Sequence, residues 1–187
     1  MEPVVSAQDL QIEIREAHSD DMPQLIELWA GLIEHHQGIH AQLYTPRSDA
    51  ALTYEHWLKR RVKEDGARVW VAVESGVIVG YVLAMVGYRS PVYETRTVGM
   101  ICDLSVLPSN GRRGIGSALV SHVLLAFLNQ GIDCVQVNYD HQNESAAAFW
   151  HKMGFAPRLV EAYRQLGSHG AEMPKHEDME GRLRCEN

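Results

Sequence analysis

The stretch "ICDLSVLPSNGRRGIGSALV", residues 101–120, constrains the fold more than any other part of the chain. An apolar run stops at Pro108, and a polar turn follows that carries glycines at 111, 114 and 116 together with Arg112 and Arg113. From Gly114 the pattern is helical: Ile115, Ala118, Leu119, His122, Val123 and Ala126 recur at spacings of three and four, and "NQG" closes the segment. A strand that hands over to a helix in this way leaves the helix's first amides exposed at the end of a sheet. Those unpaired N–H groups and the positive end of the helix dipole favour an anion. The glycines let the backbone approach such a ligand closely, and the two arginines supply charge from the side. Phosphate is the candidate, weighed against a plain surface turn.

Elsewhere the periods alternate between extended and helical. Residues 10–17 ("LQIEIREA") read as a strand, and "HSDDMPQLIELWAGLIEHH" reads as a helix capped by Ser19 or Asp20, with Leu25, Leu28, Trp29 and Leu32 as its apolar stripe. A second helix is expected over residues 50–63, with Leu52, Trp57, Leu58 and Arg61 near one face. "RVWVAVESGVIVGYVLAMVGY" then gives two strands around a tight "ESG" turn, and residues 95–108 give a third. After the glycine-rich junction and its helix come a strand in "IDCVQVNY", a helix in "NESAAAFWHKMG" capped by Asn143, and a last strand in "LVEAYRQL". The order β, α, α, β, β, β, α, β, α, β predicts an α/β sheet with both meander and crossover connections. Residues 1–9 are expected to be loose, residues 10–167 to form one domain, and residues 168–187, polar and without period, to form a flexible tail.

Three phosphate-binding patterns compete for the junction. The Walker pattern needs a lysine between its last glycine and a Ser or Thr, but Ser117 follows Gly116 directly. The dinucleotide fingerprint needs a small residue where Leu119 stands. The third pattern is a pyrophosphate turn of Arg or Gln, two residues, Gly, one residue, Gly or Ala at the start of a helix, and Gly114 and Gly116 match it. With "DLSVLPSNGRRGIGSALV" and "NESAAAFWHKMGF" together, most of residues 12–166 resembles the GNAT superfamily of N-acetyltransferases. Asn143, Ala146, Phe149, Lys152 and the Gly154-Phe155 pair match that family's second signature.

The resemblance implies a GNAT-like mixed α/β fold: a central sheet of about six or seven strands, splayed between the fourth and fifth, flanked by about four helices, with acetyl-CoA as co-substrate in the gap. It implies that backbone amides across Arg112, Arg113, Gly114, Ile115, Gly116 and Ser117 hold the pyrophosphate. It also implies that the strand at Leu104, Ser105 and Val106 pairs with the pantetheine arm, and that Asn143 touches the pantetheine side. Two departures stand out. Gly111 occupies the position where the family has Arg or Gln, with the arginine displaced to 112. Trp150 stands where many members carry a tyrosine that protonates the leaving thiolate, a role an indole does not fill.

Acetyl transfer to an amine needs a neutral nucleophile, a path for its proton and a donor for the oxyanion, which a backbone N–H in the strand at 104–106 is placed to supply. The glutamate common in that strand has no equivalent: Cys102 and Met100 occupy its usual positions. Asp103 is the nearest carboxylate, with strand parity placing it on the face opposite Cys102. His141 and Tyr139, just past the fifth strand, are the next choices for catalysis. The resemblance puts the acceptor pocket at "EHHQGIHAQLY", where Glu34, His35, His36 and His40 are candidates to bind or deprotonate an amine; a solvated helix end is the bland alternative. A zinc site from these histidines is disfavoured because adjacent helical positions do not share a face, and no metal is expected. Trp29, Trp57 and Trp70 are expected to pack in the core, Cys134 to be a small buried group, and Tyr163 to be open to either role.

Composition narrows the partners. The chain has 187 residues, 45% hydrophobic, with 24 acidic and 17 basic side chains for a net charge of −7, which disfavours nucleic acid. Three scattered cysteines fit neither a disulfide framework nor zinc spacing, and suit a reducing cytoplasm. The N-terminus lacks the pattern of a signal peptide, and the longest mostly apolar stretch, residues 77–87, is too short for a bilayer, so no membrane partner is expected. The expected activity is transfer of acetyl from acetyl-CoA to a primary amine of a small molecule within a ternary complex. A CoA-binding sensor without catalysis, acetylation of a protein amine and a nucleotide-binding α/β protein are the alternatives. An exposed sheet edge makes a homodimer an expected possibility.

Overall fold

The computed structural model describes residues 12–164 except Asp65 and Arg96. The expected loose segment 1–9 and tail 168–187, with Cys185, lie outside the described residues. The elements run β1 (Glu13–Glu16), α1 (Met22–Ile39), α2 (Ala41–Tyr44), α3 (Ala50–Glu64), β2 (Arg68–Glu74), β3 (Val77–Tyr88), β4 (Thr97–Val106), α4 (Ile115–Asn129), β5 (Val135–Val137) and α5 (Glu144–Lys152).

The sheet follows chain order, β1-β2-β3-β4-β5. The first four strands pair antiparallel, and β5 joins β4 in parallel after the α4 crossover. The β2–β3 turn works because both central residues take positive φ, Ser75 at 50° and Gly76 at 82°, the twist that suits a two-residue hairpin. α1 and α3 cover one face, burying Leu25, Leu28 and Leu58 against Val69, Val71, Ile78, Tyr81 and Leu83. α4 and α5 cover the other, burying Leu119, Val120, Val123, Phe127 and Trp150 against Trp70, Ala72, Val82, Ala84 and Ile101. Each such side chain contributes about 1.5–3 kcal/mol by leaving water. With Ile115, Leu119, Val120 and Val123 all sealed, α4 and the turn before it are firmly fixed.

Several expectations change. The sheet has five strands among the described residues, not six or seven. Residues 159–164 form no strand, and Leu159 and Val160 are 90% and 94% exposed; residues 165 and 166 of that expected strand lie outside the described residues. Alternation in "LVEAYRQL" specifies two faces but supplies no partner, and a strand exists only in a ladder. The fifth strand is shortened to three residues. The helices number five among the described residues because the segment after α1 adds the single turn of α2.

The start of α1 also differs. Ser19 and Asp20 belong to a 3-10 turn, Ser19–Asp21, and Asp21 is the residue that secures the junction. It accepts hydrogen bonds from the His18 amide at 2.7 Å and from the two terminal nitrogens of Arg15 at 2.6 and 2.9 Å, which holds its carboxyl below the usual range. On α3 the inner face comprises Tyr54, Trp57, Leu58 and Arg61, while Leu52 is 56% exposed. Trp29, Trp57 and Trp70 do pack against the cores, but Cys134 is exposed because it precedes β5 instead of lying within it. No described helix is long and apolar enough to cross a membrane.

Candidate functional site

The glycine-rich junction closes the carboxyl end of β4. Gly114 caps α4 at φ 89°, a left-handed conformation that costs a glycine nothing, and no side chain caps the helix. The first backbone bond at this end runs from Ala118 N to the Gly114 carbonyl at 2.9 Å, so the amides of Ile115, Gly116 and Ser117 have no helical acceptor. Gly116 lies under the Phe149 ring: a Cβ there would meet the ring at 3.6 Å and Val106 at 3.8 Å, ordinary contact distances that leave room for a methyl but not for a larger side chain. Gly111 has an ordinary φ of −61°. The strained residue is Arg112, whose φ of 59° lies in the left-handed region.

The two arginines differ. Arg113 donates to both Glu74 oxygens, at 2.6 and 3.0 Å, and Asn110 donates to the same carboxylate at 2.9 Å; the pair ties the turn to the end of β2 and depresses the Glu74 carboxyl. Arg112 is exposed and has no side-chain partner among the described residues. Its guanidinium is the cation left beside the open amides. A helix end without a cap, a glycine turn without a side chain in the way and one unengaged guanidinium fit a pyrophosphate.

From this turn β4 leads back to a fork. β4 pairs with β5 only from Gly99 to Ile101, opposite Val135 to Val137, and the rest of β4 has no strand on that side among the described residues. A cavity of about 220 Å³ lies at the fork, lined by Met100, Ile101, Cys102, Gln136, Val137 and Asn138. Cys102 is an extra residue: Asp103 pairs with Leu83 and Ile101 with Ala84, so Cys102 bulges from the ladder. The bulge shifts the parity of everything after it. Ile101, Leu104 and Val106 all pack toward α4, whereas Asp103 and Ser105 face α1 and α3, where the Ser105 hydroxyl donates to the Leu28 carbonyl at 3.2 Å.

Asp103 therefore sits just beyond the fork on the face that α1 covers. Its Oδ2 accepts from the Tyr54 hydroxyl at 2.5 Å and from the Tyr81 hydroxyl at 3.5 Å. Oδ1 has no partner among the described residues, and it is not sealed from solvent. Burial raises the Asp103 carboxyl, and the two tyrosines oppose that rise. Burial together with the facing carboxylate also drives both tyrosines upward, so they stay protonated and act only as donors.

The structure brings α1 to α5. Asn143 is 7% exposed, and its Oδ1 accepts from the Ala146 amide at 2.9 Å, the expected helix cap, while its Nδ2 lies 3.3 Å from His35 Nε2. Glu34 and His35 are exposed and, with Gly31, Gly38 and Ile39, line a groove of about 480 Å³ along α1. His36 turns to another side, half-buried with its ring 5.1 Å from Tyr44; burial and then His35 lower its pKa, and Asp140 opposes this. His40 is exposed at the start of α2. Tyr44 is raised by burial and then by Asp140, which places the loop after β5 against α2. In that loop Tyr139 packs against the α4 side and His141 is exposed. Phe149 lies on Gly116, and Lys152 is exposed in the last turn of α5. Trp150 is 5% exposed between Phe149 and Phe155, a core ring with nothing to offer a leaving group. Tyr163 is exposed, donating to Glu161.

Sequence reasoning missed Tyr54 and Tyr81 beside Asp103, the Arg113–Glu74 pair, and Asp140 facing Tyr44. Tyr54 was within reach: it shares the helical face of Trp57 and Leu58, three and four residues on.

The architecture is a mixed sheet that opens between its last two strands, with an uncapped helix start at one end of the opening. The model of the acetyltransferase (GNAT) family matches residues 27–155. A protein of Archaeoglobus fulgidus named as an uncharacterised N-acetyltransferase is 31% identical over 139 residues, covering 74% of this chain and 89% of its own. Among solved structures, the BH1408 protein from Bacillus halodurans, solved as a tetramutant, superposes with a TM-score of 0.73 at 22% identity over 82% of this chain and 99% of that one. The aminoglycoside N-acetyltransferase AAC(6')-Iy, in complex with CoA, does so with a TM-score of 0.64 at 18% identity over 83% and 95%. At these identities the solved structures speak to fold alone. The chain belongs to the GNAT family and is an acyltransferase of the N-acetyltransferase type.

Proposed function

We propose that the protein transfers the acetyl group of acetyl-CoA to a primary amine of a small molecule, directly within a ternary complex. The observation that carries this reading is the edge of β4, which beyond Ile101 has no strand beside it among the described residues and leads from the fork to the free amides of α4. Arg112 and the amides of Gly114 to Ser117 would hold the pyrophosphate, and the edge at Leu104 to Val106 the pantetheine arm. Bound there, acetyl-CoA supplies an activated acyl group.

The remaining chemistry belongs to the chain. Asp103 Oδ1 would take the ammonium form of the acceptor and then its proton, and its raised affinity for a proton suits a general base. Glu34 and His35, open along the α1 groove, line the approach for the acceptor. Trp150 supplies no acid, and none is demanded: a thiol of pKa about 8.5 leaves as a thiolate with modest help from water or from the exposed His141. A cytoplasmic setting accords with the three scattered cysteines, and a small cationic acceptor accords with the net charge of −7 and with the aminoglycoside enzyme among the structural relatives.

A screen of thiol release from acetyl-CoA against a panel of small amines, with product masses, tests the proposal. Acetylated product with turnover supports it. The burial of Trp150 favours one competing reading, a CoA-binding sensor: tight CoA binding with no product from any amine or peptide would establish that instead.

A further inference from the structure

We propose that Tyr54 is a positioning residue that fixes the Asp103 carboxylate with Oδ1 turned to the acceptor, and so sets the pH at which the amine is engaged. This rests on the reading of Asp103 as the carboxylate that meets the amine. The geometry is specific. Both tyrosine hydroxyls converge on one oxygen, Oδ2, at 2.5 Å from Tyr54 and 3.5 Å from Tyr81, and leave Oδ1 without a partner among the described residues. A carboxylate held by one oxygen is prevented from turning, and its free lone pairs are aimed.

Tyr54 is itself held from two helices. Trp29 of α1 stacks on it with centroids 4.3 Å apart and planes within 10°, and Trp57 of α3 lies 5.6 Å away on the same stack. Arg61 sits over the Trp57 ring at 5.5 Å. The hydroxyl thus reaches Asp103 from a ring that α1 and α3 clamp together. Tyr81 reaches it from β3, diagonally across the ladder, since Tyr81 pairs with Ser105 and Leu83 with Asp103.

The charged and titratable groups acting on Asp103 are Tyr54 from α3 and Tyr81 from β3. On the same face the Leu28 carbonyl of α1 accepts from Ser105, and no cationic side chain is among the groups that act on the carboxylate. Two O–H donors stabilise the ionised form against burial; removing the shorter bond makes the proton harder to lose. The vacant position for a cation is then the acceptor's own ammonium.

The test uses the full-length protein and Tyr54→Phe, which keeps the ring for the Trp29 stack and deletes only the donor. The Asp103 carboxyl carbon is titrated by NMR, and kcat/KM for the best amine is followed against pH. The expected result is a rise of about one pH unit in the Asp103 titration and an equal upward move of the acid limb, with a lowered plateau rate above it because the carboxylate is no longer held from turning. Tyr81→Phe, with the longer bond, should move both less. An unmoved titration overturns the positioning role while the acetyltransferase reading stands; so does a titration that moves while the acid limb stays. Failure of wild-type protein to acetylate any amine is seen before a variant is made, and it overturns the functional reading together with this role.

Discussion

Arg112→Gly should make the protein more stable and a weaker binder of CoA at once. Arg112 holds φ 59°, where a side chain costs about 1–2 kcal/mol. Glycine removes that cost but adds about 0.5–1 kcal/mol of backbone entropy in the unfolded chain. The net gain is about 0–1.5 kcal/mol, which for a chain of 187 residues raises Tm by up to about 6 °C. In the other direction, a charge-assisted hydrogen bond to phosphate contributes about 1.5–3 kcal/mol, so CoA affinity should fall by about 10- to 100-fold. Differential scanning fluorimetry with and without CoA reads both, because the shift produced by ligand tracks its Kd. Arg113→Ala is the internal control: that guanidinium already has Glu74 on both terminal nitrogens, and its loss should weaken CoA less than the loss of Arg112 does. A lowered Tm for Arg112→Gly would refute the strain, and an unchanged Kd for CoA would refute the phosphate contact.

Asn143→Ala removes the acceptor for the Ala146 amide and should cost about 1 kcal/mol, read as a drop in Tm; it also removes the proposed pantetheine contact, so KM for acetyl-CoA should rise, and a pure stability loss would reduce Asn143 to a cap. Gly116→Ala should be tolerated, with a Cβ in ordinary contact 3.6 Å from Phe149, whereas Gly116→Val pushes methyls into that ring and should lower Tm and CoA affinity together. Asp103→Asn should abolish turnover yet raise Tm at pH 8. Because burial raises this carboxyl, the folded protein binds the proton more tightly than the unfolded chain. The group's stabilising contribution is complete below the unfolded value of 3.8 and is lost as pH climbs through the folded one. The variant and wild type should converge in Tm toward pH 4, and a variant less stable than wild type at pH 8 would contradict the sign.

The parts of the site that depend on backbone and local order were legible in the sequence. Gly114 at a helix start and Asn143 three residues before Ala146 are local devices, and each appears where spacing put it. What escaped depended on register between distant strands. Parity along "MICDLSV" assumes an unbroken ladder, and one extra residue at Cys102 puts Ile101 and Leu104 on the same face, an odd spacing that no period-2 count produces. Asp103 did face away from the α4 side, but its partners, 49 and 22 residues earlier in the chain, carried no local signal beyond a tyrosine on an apolar helix face. The same limit explains Arg113: two adjacent arginines look alike until Glu74, at the end of a strand two ladders away, takes one of them.

The division of the site follows from what each half is built upon. The cradle and the fork rest on β4 and α4, whose inner residues are sealed between two cores, so their geometry is dictated by packing shared with any protein that folds this way. The proposed acceptor side comprises exposed Glu34 and His35, the half-buried His36 and Tyr44, and a loop carrying Asp140. Those side chains support little of the core and are free to vary without unfolding the sheet. Asp103 is where the halves meet: its strand belongs to the cradle, but its hydroxyl donors come from the helix and strand of the opposite layer. A carboxylate held across that boundary registers movement of α1 or α3 against the sheet as a change in its own hydrogen bonding. Because Trp29 of α1 stacks on Tyr54, a shift of α1 against α3 would reach the Asp103 carboxylate through the Tyr54 hydroxyl.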